Sequence, residues 1–166
     1  MVQANPLKLL GLLVTTLAVF GGLGLMPGAF HVGQHEGDTF HFVQIVMRMA
    51  AGEVPHVDFM TPLGALAFAP VAWLVQQGLG VGMAFLVSQV LVAVILLPVT
   101  WWVAYSRLSP NLAYVFGFFS LILIVALIHG GTDNVASLSM HYNRWSWAVA
   151  FMAILLAVLP NRARPR

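Results

Sequence analysis

The chain has 166 residues, 60% of them hydrophobic and 7% charged, with a formal net charge of +2. A soluble domain carries roughly 25% charged residues, so a chain this poor in charge cannot cover a globular surface with polar groups and takes lipid as its main solvent. The small, scattered charge excludes a nucleic-acid footprint, and the lack of cysteine excludes disulfides and thiolate metal sites.

The first apolar run follows a single cation, Lys8, and predicts a span over about 9–26. No small-residue cleavage site follows it, so it reads as a retained span rather than a signal peptide. Gly21, Gly22 and Gly24 near its far end suit close approach by another helix. Pro27-Gly28 then opens a polar loop with His31, His35 and Glu36, and Asp38 and His41 just beyond. These are potential ligands for a divalent metal. Their order is not the HExxH zinc pattern, however, and three glycines oppose a regular helix, so no metal site or cofactor is assigned.

Residues 38–51 predict an amphipathic helix lying in the membrane interface. Asp38 suits its N-cap, and Gly52 suits its stop. His41, Gln44 and Arg48 form a polar stripe, opposite Phe42, Val43, Val46, Met49 and Ala50. Arg48 falls in the last turn, where a cation suits the helix dipole. The segment 53–64, EVPHVDFMTPLG, returns the chain to the membrane between Pro55 and Pro62, with Asp58 between them. Four of the five acids (Glu36, Asp38, Glu53, Asp58) fall between residues 34 and 64.

Further spans are expected over 63–77, with a kink at Pro70; over 83–105, with a kink at Pro98 and Trp101, Trp102 and Tyr105 as an interfacial belt; over 112–128; and over 135–159. The loop before the last carries Asp133, His129, His141 and Arg144 and reads as a headgroup-level anchor flanked by Trp145 and Trp147, with Arg144 placed either to pair with Asp133 or to bind a lipid phosphate. The expected fold is therefore all-α: a single integral membrane domain with about five transmembrane helices and one interfacial helix after the first. Five spans put the termini on opposite sides and conflict with the positive-inside rule, a conflict that a re-entrant fifth stretch removes.

The order of elements resembles the amino-terminal membrane part of the GT-C superfamily of glycosyltransferases, of the protein-mannosyltransferase and aminoarabinose-transferase type. Glu36-Gly37-Asp38, the run Val54 to Phe59, Thr61-Pro62-Leu63-Gly64 and the stretch Tyr142-Asn143-Arg144-Trp145 carry the resemblance. It implies a donor sugar on a polyprenyl phosphate, with Asp38 or Glu36 as general base or metal ligand and Asp58 as a supporting acid. Arg48 and Arg144 would meet the lipid phosphate. The family has more spans and usually an outer soluble domain, so the chain reads as a truncated form, catalytic or not, in a bacterial inner membrane. The alternative is a non-catalytic accessory subunit of a larger respiratory or photosynthetic complex. In that case other membrane subunits would be its partners, and Ala65, Ala69 and Ala72 would offer a close-packing face.

Overall fold

The computed structural model describes residues 3–26, 36–126, 128–129, 136–137 and 141–162. Helix α1 (Pro6–Leu25) is capped by Asn5, whose side-chain oxygen accepts from the backbone N–H groups of Leu7 and Lys8 at 3.1 Å each. Pro6 at its first position has no N–H to leave orphaned. Between Leu17 and Gly21 the helix widens into a π turn. The remaining helices are α2 (Glu36–Ala50), α3 (Ala69–Gln76), α4 (Val81–Arg107), α5 (Pro110–Val125) and α6 (His141–Val158). One antiparallel pair of two-residue strands, Ile128–His129 with Ala136–Ser137, precedes α6. Among the described residues two helices, α1 and α4, are long and apolar enough to cross a membrane, with mean hydropathies of 1.8 and 2.4.

Side-chain contacts set the directions of the long helices. The Trp101 indole of α4 donates to the Pro6 carbonyl at 3.1 Å, and Gly21 faces Val90, so α1 and α4 are antiparallel. Leu13 lies against Gly117 and Gly24 approaches the Val125 carbonyl, so α5 runs with α1. Trp145 bonds Gln89, Thr100 bonds Met152 and Arg107 bonds the Leu159 carbonyl, so α6 runs with α4. Both ends of the described chain meet at one end of this bundle: the Tyr105 hydroxyl bonds Gln3, and the Arg162 N–H donates to the Ser106 carbonyl. The two ends of the described chain therefore lie at the same end of the bundle, whereas five end-to-end helices would leave them at opposite ends.

The second expected span accounts for the difference. Residues 63–77 form a single 3-10 turn, Ala65–Ala67, followed by the eight-residue α3. Eight residues rise only about 12 Å, less than half a hydrocarbon core. Pro70 stands in the first turn of α3, so it opens that helix rather than kinking a longer one. α3 instead packs on α2 at the loop end of the bundle, where Phe42, Ile45, Val46, Phe68 and Val71 bury together with Ala84, Phe85 and Leu86 at the start of α4. A separate cluster fills the bundle among α1, α4, α5 and α6, around Leu13, Ala93, Leu121, Ile124 and Ala148. The last helix is described from His141, and Ala136–Ser137 of the expected extension are extended rather than helical; the rest of that extension lies outside the described residues. Pro98 lies inside one uninterrupted α4.

α2 and α3 end by one device. Gly52 and Gly78 adopt φ of +95° and +93°. After each, a backbone N–H reaches back five residues: Glu53 to the Arg48 carbonyl at 3.0 Å, and Leu79 to the Leu74 carbonyl at 3.2 Å. This is the Schellman arrangement, in which glycine avoids the Cβ clash of the left-handed region. A Gly78→Ala substitution is expected to lower stability by about 1–2 kcal/mol, read as a lower midpoint of thermal unfolding in detergent. Gly80→Ala, two residues on and without positive φ, serves as the control.

Candidate functional site

The loop end of the bundle carries the acid-bearing segment. α2 starts at Glu36, two residues before the expected boundary, so Asp38 lies inside the first turn rather than at the N-cap. A carboxylate there still faces the positive end of the helix dipole. Asp38 is exposed, and its carboxylate has no hydrogen-bond partner among the described residues. The expected amphipathic faces hold in outline. Phe42, Ile45 and Val46 are buried, Val43, Met49 and Ala50 are half-buried, and His41 and Gln44 are exposed.

The chain then folds over the end of α2 in a short loop held by its own hydrogen bonds. Asp58 accepts from the Val54 N–H at 2.7 Å through Oδ2. The Asp58 N–H donates to the Val54 carbonyl at 2.9 Å, and the His56 N–H to the Phe59 carbonyl at 2.7 Å, with His56 at a φ of 66°. Arg48 clamps this loop to the helix. Its guanidinium pairs with Glu53 at 2.5 Å, lies 4.2 Å above the Phe59 ring and donates to the Asp58 carbonyl at 3.4 Å. Arg48 and Asp58 thus have structural partners, and Asp38 stands apart from both. Gln76 ties α3 to the same place by donating to the Met49 and Ala50 carbonyls.

A second constellation lies where α6 begins. His141 is fully buried, with ring centroids 4.8 Å from Phe42, 5.1 Å from Phe85, 5.3 Å from Tyr142 and 4.8 Å from Trp145, all edge-on. Its Nε2 lies 3.1 Å from the Ala67 carbonyl. The histidine therefore joins α2, the turn before α3, α4 and α6 instead of standing in solvent as a headgroup-level anchor. The next residue on that inward stripe is Arg144, only 7% exposed, with Nε and Nη2 buried and without a hydrogen-bond partner. Trp145 donates to Gln89 Oε1 at 2.9 Å, and the Gln89 amide nitrogen is buried and unpartnered as well.

No known family, curated protein or solved structure matches this chain.

Its chemistry is therefore read from the placement of its own residues. Among the described residues no three His, Asp or Glu side chains converge as metal ligands, and His31, His35 and Asp133 lie outside those residues. Among the described residues the acids gather at one end of the bundle. Glu36, Asp38, Glu53 and Asp58 all belong to α2 and the loop after it, at the loop end, whereas Lys8, Arg107 and Arg162 lie towards the end where the termini meet. Sequence reasoning missed the burial of His141. The available signal was indirect: Gln89, a strongly polar side chain in an otherwise apolar helix, requires a partner from another helix and finds it in Trp145, four residues after His141.

Proposed function

We propose that all four long helices cross a bacterial inner membrane, with both termini in the cytoplasm, and that α2, α3 and the loop between them form a cap on the outer face. Two observations support the embedding. α1 and α4 have spanning length, and large apolar side chains stand exposed on every long helix, among them Val14, Ile95, Phe119 and Ile154. α5 and α6, at 16 and 18 residues, rise about 24 and 27 Å, enough with modest local thinning of the bilayer. With four crossings instead of five, the positive-inside rule is obeyed. Lys8, Arg107 and Arg162 are cytoplasmic, and Arg164 and Arg166 follow Arg162 in sequence, against Arg48 and Arg144 at the outer end. The chain has no cysteine, so single reporters are clean. Cysteine at Val57, which is 79% exposed, is expected to react with an impermeant thiol reagent in intact cells, and cysteine at Arg162 only after lysis. Labelling of both from the same side would overturn the four-crossing arrangement.

The cap then serves sugar transfer from a polyprenyl-phosphate donor, as the GT-C resemblance implies. The observation carrying this reading is the free, exposed carboxylate of Asp38 in the first turn of a helix lying over the bundle end. A carboxylate at that level removes the proton from an acceptor hydroxyl as its oxygen attacks the anomeric carbon; the carbon–oxygen bond to the phosphate breaks, and the polyprenyl phosphate leaves with the electron pair. Proteoliposomes supplied with polyprenyl-phosphate sugars test this. Transfer is expected from the unaltered protein. Its absence with every such donor, or equal transfer after both Asp38→Asn and Glu36→Gln, removes the reading.

A further inference from the structure

We infer that the outer end of α6 holds the phosphate of an anionic membrane phospholipid on Arg144, with an acyl chain of that lipid lying in the groove between α5 and α6. The inference rests on the membrane embedding but not on sugar transfer. Its first ground is Arg144 itself. Arg144 is only 7% exposed as a residue, and a guanidinium with Nε and Nη2 buried and unpartnered carries a desolvation cost that only an anion offsets well. Three acids whose side chains are described, Glu53, Asp58 and Asp38, do not supply that anion. Glu53 is committed to Arg48, Asp58 to the Val54 N–H, and Asp38 makes no bond to it. The level is also rich in donors. Gln89, whose oxygen is taken by the indole of the neighbouring Trp145, leaves its amide nitrogen buried and unfilled.

The second ground is the groove. Phe119, Ile122, Leu123 and Ala126 of the α5 side and Phe151 and Leu155 of α6 line an apolar hollow of about 630 Å³. That volume falls within the range of about 300–1,000 Å³ typical of small-ligand sites. Phe151 and Leu155 stand seven and eleven residues after Arg144, which on an α-helix returns them to nearly the same stripe. A lipid with its phosphate at Arg144 therefore finds its hydrocarbon path along that stripe towards the bilayer centre. A free phosphate would satisfy the cation but leave the groove unused, and a zwitterionic lipid brings its own cation to compete with Arg144.

The test is native mass spectrometry of the full chain in mild detergent, titrated with phosphatidylglycerol, phosphatidylcholine or inorganic phosphate. One phosphatidylglycerol is expected to remain bound, with phosphatidylcholine at least about 10-fold weaker. Arg144→Gln is expected to lose the preference by about 10-fold or more. Ala126→Phe fills the groove without removing a charge and should weaken retention while Arg144 is intact, which keeps the test open if Arg144→Gln fails to fold. Equal retention of the two lipids by the unaltered protein overturns the inference. So does undiminished retention by Ala126→Phe, and so does displacement of the lipid by millimolar phosphate alone, which would assign the site to a small anion.

Discussion

An Asp38→Asn protein is expected to lose sugar transfer by about 10²-fold or more while its melting midpoint stays within a degree or so of the unaltered protein. The size follows from the role. A positioned general base contributes about 10²–10⁴-fold, and asparagine keeps the shape but cannot take the proton. The unchanged stability follows from the surroundings. Asp38 is exposed and bonds no described residue, so its removal leaves no buried group unpaired. Asp58→Asn is expected to behave in the opposite way. Its carboxylate holds the Val54 N–H at 2.7 Å within the loop that Arg48 clamps, so the substitution should lower stability by about 1 kcal/mol. Any change in transfer should then track the melting curve. Measuring both quantities on both variants separates a residue that acts on the acceptor from one that shapes the cap. If Asp38→Asn retains full transfer and Asp58→Asn loses it without any loss of stability, the roles assigned to the two carboxylates are reversed.

Phe85→Ala is expected to have the largest effect on stability, about 3–5 kcal/mol. Phe85 is fully buried on α4 and meets the Phe42 ring of α2 at 5.9 Å and the His141 ring of α6 at 5.1 Å. It therefore sits where the cap, the long hydrophobic α4 and the start of the last helix converge. Truncation leaves a cavity that three separate elements would have to close together, which rigidly packed surroundings do only in part. The loss should be local in character. The cap is expected to open first, so limited proteolysis within residues 51–64 should accelerate while the four long helices remain protected. Ile95→Ala, on the same helix but 61% exposed, is the matched control and should change little. Equal destabilisation by the two would mean that Phe85 does not join the cap to the bundle.

Much of the helical layout was legible in the residues, because long apolar runs and their punctuation act locally. α1, α4 and α5 fall within a few residues of the expected spans, and Gly52 stops α2 as expected. The run 63–77 was misread for a definite physical reason. Lipid and a protein interior both select apolar side chains, so hydrophobicity alone does not distinguish a stretch that crosses a bilayer from one buried under α2. Only the eight-residue length of α3, set by Pro70 at one end and Gly78 at the other, makes the distinction. Within the candidate site, the position of Arg48 in the last turn of α2 was legible, because i to i+5 contacts across a helix end are short-range. The burial of His141 was not, because Phe42, Phe85 and Ala67 lie tens of residues away from it in sequence.

The bond from Trp101 to the Pro6 carbonyl joins positions 95 residues apart, and Gly21 meets Val90 across a shorter but still long gap. During synthesis at about 5–20 residues per second, α1 therefore waits some 5–20 s for the helix it packs against. Through that interval the glycine face around Gly21 lacks its α4 partner and is open to any passing helix. If α1 and α4 enter the bilayer as proposed, how fast α4 follows α1 decides how often the chain pairs with itself rather than with a neighbour. A ribosomal pause placed between α2 and α4 should shift newly made protein towards intermolecular association without altering a single residue.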